Sequence, residues 1–391
     1  MSIMKIKDLT EQIRGVSYKP SDVVTSDVGL PILRANNIKG NSLSFDDLVF
    51  VKPERVSKKQ ILQNGDIVIC ASSGSKELVG KAGVFSNNDI YSFGAFCKAV
   101  RVKRIDGINS NYVRLYFASK YYRECIAMSS KGSNINNIKT ENIEELSINI
   151  PPSAEEQNIA VSLLNALISA IEYKKQELSS LDELVKSRFI EMFGEPLSES
   201  YTTPLSQACI FNPKKSEKKD WTDETIISFI PMPLVSEHGE INTGTLKTYK
   251  EVKTGFTYFR ENDVLFAKIT PCMENGKGAI AQNLKNGIGF GSTEFHVLRP
   301  IEGVSNPYWI YYLTAIDSFR IMAEKKMTGS AGQKRVPISF FENIKVNLPP
   351  IEQQNEFAEF VKLIDKSKFI VQQQIKDLQE LLDSKMDEYF R

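Results

Sequence analysis

Histidine is almost missing from this chain: 391 residues contain two, His238 and His296. Cysteine is scarce as well, with five residues and no C-x-x-C pair among them. These ligands are too few and too scattered for a zinc knuckle, and an odd set of separated cysteines does not suit a disulfide framework. A reducing compartment, the cytoplasm, is therefore expected. No segment approaches the ~18–20 consecutive apolar residues that a membrane span needs. The opening MSIMKIKDLTEQ has no apolar core of the signal-peptide kind, so a soluble protein is expected. An excess of charge of either sign is also lacking. Lys and Arg number 49 against 48 Asp and Glu, a formal net charge of +1. A polyanionic partner cannot be read from that balance; it would require basic residues gathered on one face.

Several chemical signatures are absent too. Gly74 to Lys81 (GSKELVGK) approaches a phosphate-binding loop, but it is one residue too long and is followed by Ala82. The GIGFG run at 287–291 does not complete a dinucleotide fingerprint and reads as tight backbone packing in a strand and turn. NIPP and NLPP lack the aromatic that would follow the prolines in an amino-methyltransferase motif. Asp263, Glu294 and Lys268 could be assembled into a nuclease-like cluster. The other half of the chain, however, has Ala71 where Lys268 would fall. His296 reads as structural.

The sequence does contain a repeat. Shifted by about 197 residues, Gly65-Asp66-Ile67-Val68 falls on Asn262-Asp263-Val264-Leu265, and Phe93-Gly94 on Phe290-Gly291. Gly132-Ser133 falls on Gly329-Ser330, Gln157-Asn158 on Gln354-Asn355, and Leu181, Leu184, Ser187 and Phe193 on Leu378, Leu381, Ser384 and Phe390. ENIEELSINIPP (141–152) resembles FENIKVNLPP (341–350). A nearly constant offset from residue 65 onward implies a tandem duplication with pseudo-twofold symmetry.

Each copy has two parts. The first, residues 1–150 and 196–348, reads as short strands such as GDIVIC (65–70) and VLFAK (264–268), with helical pieces at 112–122 and 308–323. The second, 151–195 and 349–391, opens at a double proline, which tolerates a helix start immediately after it. A heptad seam follows. In copy one it runs through Leu164, Leu167, Ile171, Lys174, Leu178, Leu181, Val185, Arg188 and Met192. In copy two it runs through Val361, Ile364, Lys368, Val371, Ile375, Leu378, Leu382, Lys385 and Tyr389. The expected fold is α+β: two strand-rich domains, each followed by a helix of about 40 residues, roughly 60 Å long. The two helices would pair as an antiparallel coiled coil.

GDIVIC, DVLFAKITPCMENGKGAI, TGSAGQKRV and the two proline joints at 141–157 and 342–354 resemble the specificity subunit of type I restriction–modification systems. The resemblance extends over essentially the whole chain. It implies that each strand-rich part is a target recognition domain reading one half of a bipartite, asymmetric site in double-stranded DNA. It further implies that the helices set the gap and dock two methyltransferase subunits, and that restriction and motor subunits join them. S-adenosylmethionine, ATP and Mg²⁺ would sit on those partners and no cofactor on this chain, which would have no catalytic site. Two other readings stand beside it: a self-contained nuclease or methyltransferase with an unfamiliar site, and a coiled-coil adaptor with no role on DNA.

Reading base edges calls for forked or amide side chains on loops, Arg or Lys for guanine and Asn or Gln for adenine. Copy one offers Arg34, Asn36, Ser73, Lys76 and Lys81, and then Lys131, Ser133 and Asn134 in a Gly-Ser loop. Copy two offers Lys268, Thr270, Lys277 and Lys325, with Ser330, Gln333, Lys334 and Arg335 in the equivalent loop. Glycine in both loops permits close backbone approach. For Arg34, pairing with a structural acid is an equal alternative.

Overall fold

Ile67–Cys70 and Val264–Ala267 are short apolar strands in which every residue is buried. A strand covered on both faces belongs at the centre of its sheet, and both hold that place. In the computed structural model, which describes residues 2–75, 77–129, 137–198, 200–217, 221–330 and 332–391, each is the third strand of a four-stranded antiparallel sheet. The orders are Thr10–Arg14, Cys97–Val102, Ile67–Cys70, Ala82–Val84 and Cys209–Phe211, Phe295–Pro300, Val264–Ala267, Gly278–Ile280. The registers agree as well: Cys97 faces Cys70, and Phe295 faces Ala267.

The chain forms two compact units, Met1–Lys175 with Gln373–Arg391, and Gln176–Gln372. Each adds a second four-stranded sheet containing one parallel pair, Phe93 beside Leu33 in the first unit and Phe290 beside Phe229 in the second. Gly289 and Gly291 of GIGFG lie in the strand Ile288–Gly291, and Gly287 closes the 3-10 turn Lys285–Gly287 before it. A Cβ on Gly289 would come within 2.0 Å of the Phe259 ring, and one on Gly291 within 2.2 Å of the Ile230 carbonyl oxygen. Close strand packing therefore accounts for this run.

The helical pieces expected at 112–122 and 308–323 are each two helices. Ser110–Ala118 and Lys120–Ser129 are separated by Ser119, and Pro307–Ala315 and Asp317–Lys325 by Ile316. Ser119 and Ile316 are extended, with ψ of 153° and 141°. The Ser119 hydroxyl accepts from the Tyr122 N–H (3.0 Å), so a side chain takes over where the first helix stops.

Both long helices have 40 residues, Ala154–Phe193 and Ile351–Phe390, starting just beyond the double prolines. In the first unit Leu164, Leu167 and Ile171 share a core with Leu382, Met386 and Phe390. In the second, Val185, Phe189 and Phe193 share one with Phe357 and Val361. There Asp182 meets Lys368 at 2.5 Å and Phe189 meets Phe357 with ring centroids 5.4 Å apart, so the helices run antiparallel. The seam departs from strict heptads near each helix end. Arg188 and Lys385, at expected core positions, turn outward to Glu191 (3.0 Å) and Glu388 (2.7 Å). Phe189 with Phe193, and Met386 with Phe390, take the buried places in steps of four. The 3.6-residue turn drifts off a seven-residue repeat, and a four-residue step restores the apolar side to the core. Lys368 stays near the seam because Asp182 neutralises it. Among the described residues no helix is long and apolar enough to cross a membrane.

A clamp present in both units fixes where each long helix begins. Gln157 accepts from the Asn109 N–H (2.7 Å) and donates to the carbonyls of Gly107 (2.9 Å) and Pro151 (3.1 Å). Gln354 accepts from the Asn306 N–H (2.9 Å) and donates to Val304 (3.0 Å) and Pro349 (2.8 Å). Asn158 and Asn355 complete it by accepting from the side chains of Asn109 (2.6 Å) and Asn306 (2.8 Å). The repeated Gln-Asn dipeptide is thus the joint between helix and sheet domain.

Candidate nucleic-acid interface

Where the buried strands end, the chain turns to the surface and meets a second loop at equivalent points in both units. The Ile138 N–H donates to the Ala71 carbonyl (2.7 Å), and the Val336 N–H to the Lys268 carbonyl (2.8 Å). Ser72 lies beside Asn137, and Ile269 beside Arg335. In both cases the strand exit is stitched to the loop predicted to touch DNA.

In the second unit this stitching gathers Lys268, Thr270, Gln333, Lys334 and Arg335. The Thr270 hydroxyl donates to the Gly332 carbonyl (3.1 Å) and accepts from the Lys334 N–H (3.2 Å). Gly329 turns the loop at φ 127°, and a Cβ there would sit 2.7 Å from the Gln333 carbonyl oxygen. Ser330, Gln333 and Lys334 are exposed. Arg335 forks onto Glu294, Nε to Oε2 at 2.9 Å and Nη2 to Oε1 at 2.8 Å. The hydrogen bonds from Arg335 hold the Glu294 carboxyl below its ordinary range, and Glu294 in turn raises Arg335. Burial lowers the neighbouring Lys268 ammonium, against the pull of Glu294. The result is a guanidinium fixed by a carboxylate, with two lysines alongside.

Lys325 is exposed at the end of helix Asp317–Lys325, leading into this loop. Lys277 is half-buried, and its carbonyl accepts from the Ala267 N–H (3.2 Å); the Lys81 carbonyl does the same for Cys70 (2.9 Å). Lys81 and Lys277 thus occupy equivalent turns. Arg123 holds the first through the Val79 carbonyl (2.9 Å), and Arg320 the second through Met273 and Gly276 (both 3.1 Å).

In the first unit, Lys76, Lys131, Ser133 and Asn134 lie outside the described residues. Arg34, Asn36 and Ser73 border a cavity of about 640 Å³ whose lining also includes Tyr18, Ser72 and Phe96 but not Lys81. Arg34 donates to the carboxylate (3.0 Å) and carbonyl (2.8 Å) of Asp47, and Asn36 donates to the same carboxylate (2.9 Å). Arg34 therefore does pair with an acid, yet its Nε is buried and has no hydrogen-bond partner among the described residues. Ser73 accepts from the Ser75 N–H (3.2 Å). Phe96, absent from the sequence-based selection, is 70% exposed at this cavity. Its ring thus stands open to solvent at the edge of a cleft lined by both apolar and polar side chains. Alternating patterns do not single it out, because it sits in the turn just before a strand.

The residues weighed as a nuclease cluster separate into different environments. Asp263 is buried against Arg299, while Glu294 and Lys268 belong to the Arg335 cluster. Among the described residues no group of three or more His, Cys, Asp or Glu could hold a metal ion.

Comparison with known proteins agrees with the repeat. The profile of the type I restriction modification DNA specificity domain matches residues 1–183 and again 206–380. The EcoAI type I restriction enzyme specificity subunit of Escherichia coli is 38% identical over 212 residues, 51% of this chain and 35% of that protein. That match, and the match to the EcoEI specificity subunit at 29% of its length, spans only about a third of the relative. The EcoKI specificity subunit of Escherichia coli K12 is 28% identical over 383 residues, 92% of this chain and 81% of that protein. A solved chain from work on complex assembly and conformational transition of the type I R-M system shares the fold. Its TM-score is 0.54 at 13% identity, covering 100% of this chain and 97% of that one. Two matched profiles, two equivalent sheets and two equivalent helix joints agree: this chain belongs to the type I restriction modification DNA specificity family.

Proposed function

We propose that this chain is the DNA sequence-specificity subunit of a type I restriction–modification system, a reader without a catalytic site of its own. The observation that carries this is the pair of side-chain clusters at equivalent strand exits. One presents Arg34, Ser72, Ser73 and Phe96; the other presents Lys268, Thr270, Lys334 and Arg335. One scaffold with two different sets of donors is what an asymmetric bipartite site in double-stranded DNA requires, since donor geometry selects the base. The long helices set the gap between half-sites and dock two methyltransferase subunits, with restriction and motor subunits joining them in the cytoplasm. S-adenosylmethionine, ATP and Mg²⁺ act on those partners.

The test is an exchange of residues 1–150 for the corresponding part of another specificity subunit, followed by methylome sequencing of cells that also express the methyltransferase partner. One half of the methylated motif should change and the other stay. A change in both halves, or methylation or cleavage by the purified chain alone, would overturn the reading.

A further inference from the structure

The second unit carries a basic groove that the Arg335 cluster does not include. It is a cavity of about 630 Å³ whose lining includes Lys214, Lys215, Lys253, Gly255 and Phe256 and, among the described residues, no carboxylate. Lys214 and Lys215 are exposed. Lys214 makes no hydrogen bond or ion pair among the described residues, so its charge is available. The Lys215 ammonium donates to the Lys253 carbonyl, which draws the two sides of the groove together. Lys253 is held by Asp223 at 2.9 Å. Gly255, at φ 82°, forms the tip of the turn and leaves that side open, with nothing within 4 Å of where a Cβ would stand. Phe256 packs edge-on against Phe229 (4.9 Å), and Lys247 lies 4.5 Å above the Phe229 ring, adding a further cation.

The groove is linked through the interior of the unit to the loop that carries Arg335. Asn212, in its lining, donates through Nδ2 to His296 Nδ1 (3.2 Å), and His296 Nε2 donates to the Val336 carbonyl (2.8 Å). Val336 follows Arg335. The basic groove and the Arg335 cluster are thus joined by two hydrogen bonds through one buried ring. Ile210 beside Arg299 corresponds to Glu11 beside Arg101, which puts the uncharged Gly15 and Val16 of the first unit at the places of Lys214 and Lys215.

We propose that Lys214 and Lys215, in the groove closed by Lys253, bind backbone phosphates of the same DNA duplex whose bases the Arg335 loop reads; this rests on the functional reading above. Lysine is a mobile point charge suited to phosphates rather than a fork suited to base edges. The site therefore contributes affinity and orientation without sequence preference, and it does so for one half-site only.

The test is titration of the full chain with a short random-sequence duplex, and with a duplex carrying its methylated motif, over a series of salt concentrations. Each neutralised phosphate contributes ~0.9 to the slope of log affinity against log salt. K214A/K215A should therefore flatten the slope by about 1.8 and weaken both duplexes by the same factor, while K214R/K215R keeps the wild-type slope. K214E alone, at a side chain without partners among the described residues, should flatten it without touching the fold, as checked by circular dichroism. An unchanged slope in folded K214A/K215A would overturn the phosphate site while leaving the reader intact. A loss confined to one duplex would make these lysines base readers and overturn it too. Absence of salt-dependent binding by the wild-type chain would remove both the site and the functional reading.

Discussion

Asp263 receives both forks of Arg299, Nε and Nη2 each at 2.7 Å, and the Arg260 N–H at 2.8 Å. Asp66 receives Arg101 (2.9 and 2.7 Å) and the Gln63 N–H (2.8 Å) in the same way. The ion pairs differ in burial: the side chains of Arg299 and Asp263 are 3% and 1% exposed, whereas Arg101 retains 21%. Burial pushes the Asp263 carboxyl up despite its partner.

Removing one partner of a buried pair strands the other charge and costs ~3–5 kcal/mol. Arg299→Leu should lose about that much in urea unfolding, and Arg101→Leu distinctly less, because water reaches Arg101. Equal losses would mean that the burial difference carries no energetic weight.

His296 predicts a pH dependence. Burial, more than any neighbour, lowers its imidazole from 6.5 to about 4; Lys268 pushes the same way, while Glu294 and the Val336 carbonyl oppose it. The geometry agrees with the neutral ring, since Nδ1 accepts from Asn212 and Nε2–H donates to Val336. The unfolded chain takes up a proton near pH 6.5 and the folded chain does not until about 4. Stability should therefore fall as pH drops through that window and level off below it, by up to about 3 kcal/mol. Unfolding of His296→Gln compared with wild type across pH 7 to 4 reads this directly: the variant should lack that component of the decline.

The clamp at the helix joint gives matched losses. Gln354→Ala leaves the Asn306 N–H and the Val304 and Pro349 carbonyls without their partner, and Gln157→Ala does the same to Asn109, Gly107 and Pro151. Each should cost ~1–3 kcal/mol. Hydrogen exchange should show faster opening at Ser110–Ala118 for one and at Pro307–Ala315 for the other.

In the reading loop, Arg335→Ala should relax preference at one position of one half-site by ~1–3 kcal/mol. Lys334→Ala should weaken all sequences alike. Glu294→Gln, which loosens the guanidinium without removing it, should lie between wild type and Arg335→Ala. Binding selections from a randomised duplex library measure all three; an unaltered motif in Arg335→Ala would take that side chain out of base recognition.

The gap between half-sites should follow helix length. Deleting Ile171–Glu177 together with Lys368–Gln374 shortens each helix by roughly 10 Å. The preferred gap should shorten by about three base pairs at ~3.4 Å each, with the half-site sequences unchanged. Library selection with the methyltransferase partner decides it: recovery of the original gap by a folded deletion variant would show that these helices do not set it.

What the sequence makes legible here is whatever repeats along the chain. Asp66 and Asp263, and Gln157 and Gln354, stand out as matches at one offset, but their roles do not. Arg101 and Arg299 reach the aspartates across a sheet register that linear spacing does not encode, and the glutamines bind backbone carbonyls, which have no sequence signature. The breaks at Ser119 and Ile316 are hidden because apolar residues continue through both. Arg188 and Lys385 fit a strict heptad on paper, and only the drift of the real helix turns them out. Lys214 and Lys215 escape notice in a chain of nearly zero net charge, since nothing in the linear order says they share a groove with Lys253.

The two units differ in when they can be completed. Residues 176–372 are one continuous stretch, so the second core can close as soon as that stretch has been synthesised. The first cannot: Leu382, Met386 and Phe390 fill the core under Tyr112 and Tyr116, and Tyr112 donates to the Tyr389 carbonyl (3.1 Å). The domain made first on the ribosome thus waits, with an open apolar face, for the last residues of the second helix. Domains usually fold in the order in which they emerge; in this chain the order of completion is reversed, and the early domain is the one that needs protection during translation.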